Sequence, residues 1–202
     1  PIAERIGLMP SLGGWVIREA CKKLSEWKND PIAQSLSLSV NVSADQFLTP
    51  DFEHTLLTSV NAHDIDASRL KLELTESVFL TNVESVISKM KSLTQAGFDI
   101  ALDDFGTGYS SLSYLRRLPL AQLKIDRSFV VGVLKDDKDA ALTRNIVQMG
   151  HDLQLEVLAE GIETVEQLDF MRACGCHAFQ GFLFGRPVTA AEFQRQVHRA
   201  HH

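Results

Sequence analysis

Strand-like runs alternate with helix-like patterns along the whole of this 202-residue chain. The strand-like runs are short and rich in apolar residues, and they lie at 36–43, 69–76, 99–105, 121–129, 155–161 and 178–185. Helical periodicity is seen near 11–28, 44–61, 81–96, 135–152, 163–174 and 189–200, with a shorter helix at 108–118 that Pro119 closes. This alternation predicts βαβ units and a parallel sheet in an α/β fold.

The polarity of the strand faces favours a closed barrel over an open, doubly wound sheet. In the run 69–76 the three leucines share one face, whereas Lys71 and Glu73 lie on the other. A parallel strand covered by helices on both faces would instead be apolar throughout. We therefore predict a TIM-like (β/α)8 barrel with its site at the C-terminal ends of the strands.

The number of strand-like runs is two short of the eight in such a barrel. Residue 1 also falls inside a pattern of loop and helix, PIAERIGLMPSLGGWVIREAC. Our interpretation is that residues 1–202 form a single domain, incomplete at its N-terminus, whose first two strands lie upstream.

Composition argues against several classes of partner. The chain has 20 basic and 26 acidic residues, a net charge of −6 and no long basic block, which argues against a site for duplex nucleic acid. No apolar run approaches the roughly 20 residues that a membrane helix needs. Three cysteines, an odd number, favour a reducing, cytoplasmic location over a disulfide framework. We interpret Cys174 and Cys176 as small buried residues near a helix–strand junction rather than as a metal site.

Polar residues recur at or near the ends of the predicted strands. They are Asn41, Glu73, Glu76, Asp103, Asp104, Lys124, Asp126, Glu160, Glu163 and Gln180. Closure of a barrel would gather them at one mouth, where clustered carboxylates raise one another's pKa unless a cation compensates. Hard oxygen ligands suit Mg²⁺ or Mn²⁺, and two adjacent aspartates can serve two ions.

Structural interpretations of the same residues stay open at this point. Asp103 and Asp104 fit the cap of a helix that begins near Ser110. Glu76 fits the first turn of the helix that follows it, where the helix dipole favours an acid. Lys124, on an inward strand face, fits an ion-pair network with nearby carboxylates.

Six stretches of the chain, in order and at consistent spacing, resemble the EAL domain, a bacterial phosphodiesterase that hydrolyses cyclic di-GMP. They are SVNVSADQF (39–47), LELTES (72–77), ALDDFGTGYSSLSYL (101–115), LKIDRSFV (123–130), LAEGIET (158–164) and FQGFLFGRP (179–187). Together they cover essentially the whole chain. The resemblance implies a modified eight-stranded α/β barrel and hydrolysis of cyclic di-GMP to linear pGpG with Mg²⁺ or Mn²⁺, two ions in all.

The resemblance also implies a role for each candidate residue. The metal ligands would be Asn41, Glu73, Asp103 and Asp104, and Asp103 would be the carboxylate that bridges the two ions. Glu160 would act at the second metal and as general base, and Lys124 would hold the attacking water or the scissile phosphate. The remaining polar positions would support them: Asp126, Glu163 and Gln180 in the inner network, and Glu76 under the loop 105–111, which would link dimerisation to metal binding.

One departure from the family keeps other functions open. The Glu-Ala-Leu signature, whose Glu is a metal ligand in the family, would lie upstream of residue 1. We therefore expect the 202 residues alone to be inactive or nearly so. A receptor that binds cyclic di-GMP without cleaving it is the alternative, and an enolase-like proton abstractor with Lys124 as base is a third. Expected partners are cyclic di-GMP, a second copy in a homodimer, and a fused sensor or GGDEF domain.

Overall fold

The fold is that of a computed structural model, which describes residues 7–80, 82–106 and 112–200. Their strands are β1 Leu38–Val42, β2 Leu70–Thr75, β3 Ile100–Phe105, β4 Gln122–Ile125, β5 Glu156–Ala159 and β6 Ala178–Phe179. Their α-helices are α1 Met9–Glu26, α2 Ala44–Leu48, α3 Phe52–Ala62, α4 Val83–Gln95, α5 Leu112–Leu115, α6 Arg127–Gly132, α7 Asp137–Asp152, α8 Val165–Ala173 and α9 Ala190–Ala200. The predicted strand–helix alternation and α/β class are confirmed.

The chain divides into two compact units. The first takes in the described residues of Pro1–Leu74, Val78–Asp99 and Pro187–His202, and the second those of Thr75–Ser77 and Ile100–Arg186. Strand β1 and β2 as far as Leu74 belong to the first unit, and β3 to β6 belong to the second. In each unit the strands are parallel and adjacent in chain order, as expected for βαβ connections.

The first unit buries the apolar faces that the sequence predicted. In β2 the leucines at 70, 72 and 74 are fully buried, and in β1 Val40 and Val42 are buried while Asn41 between them is exposed. Helix α1 buries one stripe at helical spacing, Ile17, Cys21 and Leu24. Apolar burial of this kind is the main stabilising contribution to such a unit.

The predicted helix over 44–61 is wrong in one respect, because it is two helices. Helix α2 ends at Leu48, Thr49 is extended, and α3 begins at Phe52. Thr49 precedes Pro50, and the proline ring disfavours helical backbone at the residue before it. Lys89 of α4 donates hydrogen bonds to the carbonyl oxygens of Phe47 and Thr49, 2.9 Å each, and so caps the end of α2.

The second unit contains four strands, and helix α7 packs on one of them, β5. Helix α7 buries small and β-branched residues, among them Ala140, Val147 and Gly150. A Cβ added at Gly150 would lie 2.4 Å from Cγ2 of Val157, so the helix lies directly on β5 at this position. Helix α8 begins with a capping box: Thr164 accepts a hydrogen bond from the N–H of Gln167, and the Gln167 side chain accepts one from the N–H of Thr164.

Two predicted strands are wrong in length. The run 121–129 is strand only to Ile125, and its second half is helix α6, for which Asp126 is the N-cap. The run 178–185 is strand only at Ala178–Phe179. The predicted short helix at 108–118 is observed as α5, Leu112–Leu115, and residues 108–111 of that prediction lie outside the described residues.

Cys176 fits the interpretation made from the sequence, whereas Cys174 is only half-buried and departs from it. Cys176 is fully buried between α8 and β6, and its thiol contacts the carbonyl oxygen of Val157 at 3.2 Å. Burial raises the pKa of the Cys21 and Cys176 thiols to about 11, so both behave as small apolar residues. Separately, each helix that the structure describes is too short or too polar to cross a membrane.

Candidate active site

Three carboxylates meet in the second unit, at the C-terminal ends of its strands. Asp103 and Asp104 lie in β3, and Glu160 directly follows β5. One carboxylate oxygen from each lies within 4.8 Å of the others. We call these three residues the acidic cluster. Oxygen donors at this separation are suited to a divalent cation of the Mg²⁺, Mn²⁺ or Ca²⁺ kind.

An irregularity in β3 explains how two adjacent aspartates reach the same cluster. Side chains of neighbouring residues in a regular strand point to opposite faces. Here Leu102 pairs with Leu123 but Phe105 pairs with Ile125, so β3 contains one residue more than β4 over this stretch. Asp104 adopts a left-handed backbone, with φ of 52°, and its N–H donates to Oδ1 of Asp103 at 3.1 Å. A β-bulge of this type redirects a side chain next to a functional site.

Lys124 is buried beside the acidic cluster. Its side chain is 4% exposed, and its Nζ lies 2.9 Å from Oδ1 of Asp103 and 2.8 Å from Oε1 of Glu160. With all groups ionised, three carboxylates and one ammonium carry a net charge of −2, which a divalent cation would neutralise. Both sequence interpretations of Lys124, an ion-pair network and a site residue, are therefore compatible with its position.

Glu76 supports the turn that follows the two aspartates. It is largely buried, and its Oε1 accepts a hydrogen bond from the N–H of Gly106 at 3.0 Å. It is also the first residue of a 3₁₀-helix, Glu76–Leu80, so both interpretations made from the sequence are compatible with its position. Residues 107–111 of the predicted loop 105–111 lie outside the described residues.

Two of the predicted metal ligands belong to the first unit. Asn41 and Glu73 are register partners in the parallel pair β1–β2, near the C-terminal ends of both strands. Glu73 is 7% exposed, and Asn41 is exposed. Their assignment as ligands stays a prediction.

The three residues predicted for the inner network are placed differently from one another. Asp126 caps α6 by accepting from the N–H of Ser128 at 2.9 Å. Glu163 forms an ion pair with Arg127, Nη2 to Oε1 2.8 Å. Gln180 follows β6 with an exposed side chain, and its backbone carbonyl accepts from the N–H of Ile162. Their roles in an inner network stay predictions.

Arg127 is not among the predicted site residues, because the strand predicted over 121–129 covers the start of helix α6. The residue before it, Asp126, is a preferred N-cap type, and Ser128 follows two positions later. An aspartate between an apolar strand and an apolar helical turn is the signal that predicts a helix start there.

The comparisons with known proteins give the family. The chain matches the EAL domain over residues 1–187. It is also 40% identical over 197 residues to the bifunctional diguanylate cyclase/cyclic di-GMP phosphodiesterase MucR of Pseudomonas aeruginosa, which is 98% of this chain and 29% of that protein. The chain belongs to the EAL domain family. The chain spans less than a third of the length of the MucR protein.

Solved structures of EAL domains share the fold. A MucR phosphodiesterase structure in complex with c-di-GMP matches with a TM-score of 0.91 and 40% identity, over 96% of this chain and 78% of that one. A complex of BlrP1 from Klebsiella pneumoniae with manganese and cyclic di-GMP matches with a TM-score of 0.78 and 28% identity, over 88% of this chain and 44% of that one. The predicted fold class, a TIM-like α/β barrel of the EAL type, is confirmed.

Proposed function

We propose that this EAL domain takes part in bacterial second-messenger signalling by hydrolysing cyclic di-GMP to linear pGpG. The observation that carries the proposal is the acidic cluster with Lys124 between Asp103 and Glu160. Its support is the family, in which a similar MucR structure holds c-di-GMP and a similar BlrP1 structure holds manganese with the same dinucleotide. We also propose that both compact units belong to one domain, since the family match runs across them.

The donors of the acidic cluster fit a divalent cation. Asp103, Asp104 and Glu160 would hold Mg²⁺ or Mn²⁺, and the resemblance to the family adds Asn41 and Glu73 as ligands and a second ion. When bound, such cations lower the pKa of a coordinated water and offset negative charge on phosphoryl oxygens. Carboxylate ligands without nitrogen or sulfur donors favour these hard cations over zinc.

Proton transfer and the binding of the phosphoryl group would be carried out by side chains of this chain. Glu160 would accept the proton of the attacking water, because its carboxylate lies in the acidic cluster where the cation and its water would be held. Lys124 would donate a hydrogen bond to a phosphoryl oxygen or to that water from a buried position, where electrostatic stabilisation is strong. Its two carboxylate contacts fix the ammonium before substrate arrives.

The direct test is hydrolysis of cyclic di-GMP by the full-length protein. We expect turnover to pGpG with Mg²⁺ or Mn²⁺ and none with a chelator. Asp103→Asn should lower activity by at least about 100-fold, the upper end of the cost of changing a residue outside the ligand shell. Asp169→Asn, an exposed acid of α8, is the matched control and should retain activity. Tight binding without turnover would contradict the proposal.

A receptor that binds cyclic di-GMP without cleaving it is the second candidate. The observation that favours it is the pairing of Lys124 with Asp103 and Glu160, which partly neutralises the acidic cluster without a metal. The candidates differ in metal dependence: binding and signalling that persist in chelator, with no pGpG formed when Mg²⁺ or Mn²⁺ is added back, would favour the receptor.

The oligomeric state, the neighbouring domains and the cellular location of this domain are predictions that rest on the family. A homodimer, a fused sensor or GGDEF domain and a cytoplasmic location are proposed on that basis. Measuring the mass of the full-length protein in solution by light scattering would test the dimer.

A further inference from the structure

Helix α6 contacts two tight turns, each of which follows carboxylates of the acidic cluster. One turn contains Gly106, just after Asp103 and Asp104, and the other contains Gly161, just after Glu160. Both glycines have a left-handed backbone, with φ of 97° and 69°. Side chains from the first turn of α6, Phe129 and Arg127, lie against them.

Arg127 holds the turn after β5. A Cβ added at Gly161 would lie 2.3 Å from Cγ of Arg127 and 2.7 Å from its Cβ, so the turn backbone rests on the arginine stem. The guanidinium then pairs with Glu163, 2.8 Å away. The N–H of Glu160 donates to the carbonyl oxygen of Ile125 at 3.1 Å. Three contacts thus fix residues 160–163 to the junction between β4 and α6.

Phe129 holds the turn after β3 in a comparable way. A Cβ added at Gly106 would lie 2.6 Å from both Cε2 and Cζ of the Phe129 ring. The N–H of Gly106 is bound by Glu76. The backbone that leaves Asp104 therefore rests on the aromatic ring and is also held by a buried carboxylate.

We propose that Arg127 and Phe129 are positioning residues that set the separation between the aspartate pair and Glu160, and through it the affinity of the acidic cluster for a divalent cation. The inference rests on the proposed function. Metal sites require ligand distances within a few tenths of an ångström, so small shifts of either turn weaken binding. Neither residue needs to contact the cation to act in this way.

The ion pair between Arg127 and Glu163 is exposed to solvent. This exposure allows a positioning role of Arg127 to be distinguished from a contribution to folding stability. The side chains of Arg127 and Glu163 are 58% and 38% exposed. Ion pairs this exposed contribute little to folding stability. Removal of the Arg127 side chain is therefore expected to change cation affinity while leaving the melting temperature close to that of the wild type.

The test is the affinity of the full-length protein for Mn²⁺, measured from the electron paramagnetic resonance signal of the free ion. Arg127→Ala and Phe129→Ala should each weaken Mn²⁺ binding by about 10-fold or more, as outer-shell changes do. Arg127→Lys keeps the aliphatic stem and the positive charge, and Phe129→Tyr keeps the aromatic ring. Both variants should therefore retain most of the wild-type affinity for Mn²⁺. Gly161→Ala should weaken binding, because the added methyl displaces the turn.

Arg195→Ala is the matched control. Arg195 is 60% exposed and pairs with Glu192 in the first unit, so its removal should leave Mn²⁺ affinity unchanged. Folded Arg127→Ala and Phe129→Ala proteins with wild-type Mn²⁺ affinity would overturn the inference alone. A wild-type protein that binds no Mn²⁺ would overturn the proposed function and this inference with it.

Discussion

At the scale of single residues, Lys124 is a buried positive charge in the second unit. Its ammonium is almost completely removed from water and is compensated by Asp103 and Glu160. Removing one partner of a buried ion pair destabilises a protein more than replacing both partners by apolar residues does. The reason is that the remaining charge is left buried without compensation. The same carboxylates are the proposed cation ligands, so the ammonium and the cation stabilise one set of negative charges.

Lys124→Gln should lower the free energy of unfolding by about 3 kcal/mol in the absence of metal, because it leaves two carboxylates without their buried cation. Added Mn²⁺ should recover part of this loss by supplying positive charge at the same place. Urea denaturation with and without Mn²⁺ measures both effects. Lys23→Gln, at an exposed pair with Glu26, is the control and should change stability little. A loss that Mn²⁺ does not reduce would argue against a cation at the cluster.

At the scale of secondary-structure elements, hydrogen-bonded side chains decide where several helices begin and what they pack against. In the first unit, Asp30 accepts from the N–H groups of Ile32 and Ala33 through Oδ1. Its Oδ2 contacts Nε2 of both Gln194 and His198 in α9, at 2.7 and 2.8 Å. One carboxylate therefore connects the C-terminal helix to the turn after α1.

The pKa of Asp30 lies well below its ordinary value of 3.8, chiefly because of the hydrogen bond from Ala33, with Gln194 and His198 adding to it. A lowered native pKa stabilises the fold at pH values above 3.8, and the contribution is lost as pH falls through the lower native value. Asp30→Asn should therefore destabilise the protein at pH 7, and the difference should shrink below pH 3.8. Urea denaturation at several pH values measures it; a difference independent of pH would contradict the assignment.

Helix α8 depends on its capping box, which begins one residue after Glu163. Thr164→Ala should lower the free energy of unfolding by about 1 kcal/mol, because the N–H of Gln167 loses its acceptor. Thr164→Ser keeps the hydroxyl and should retain most of the stability. Equal losses in the two variants would show that the methyl group, and not the cap, stabilises this end of the helix.

Element prediction from the sequence succeeded where one pattern ran unbroken through an element, and it failed where a break or a short helix interrupts the pattern, as at Thr49 and Asp126. The alternation in Leu70–Thr75 predicted its strand because every second residue is buried. In 121–129 the apolar residues continue through α6, and the change of period at Asp126 is hidden within a few residues. Short elements are set by caps and by tertiary contacts, such as that of Phe129 with Gly106, more than by pattern.

At the scale of the whole molecule, the order of strands and the identity of the cluster residues were predictable, whereas their geometry was not. The sequence predicted that Asp103, Asp104 and Glu160 would approach one another, because each lies at the end of a parallel strand. The bulge that brings both aspartates together depends on the register between β3 and β4, which a single sequence does not encode locally. The ion pair of Arg127 with Glu163 depends likewise on neighbours distant in sequence.

A cation that binds only the folded protein must also raise its overall stability. At a free Mn²⁺ concentration 100 times the dissociation constant, the gain in the free energy of unfolding should be about 2.7 kcal/mol. Asp103→Asn should abolish most of that gain, and Asp169→Asn should keep it. Thermal unfolding across a Mn²⁺ titration measures the effect, and an equal gain in the Asp103→Asn protein would place the ion elsewhere.

The additional residue in β3 makes this strand more sensitive to a deletion than to a substitution. Because the ladder with β4 resumes only at Phe105, deleting one residue before it would remove the bulge, so β3 would pair regularly with β4 and offer one aspartate fewer to the acidic cluster. Exchanging aspartate for glutamate at 104 keeps the count of residues and so keeps the alignment. A one-codon deletion at this point should therefore be far more damaging than any conservative exchange of the acids themselves.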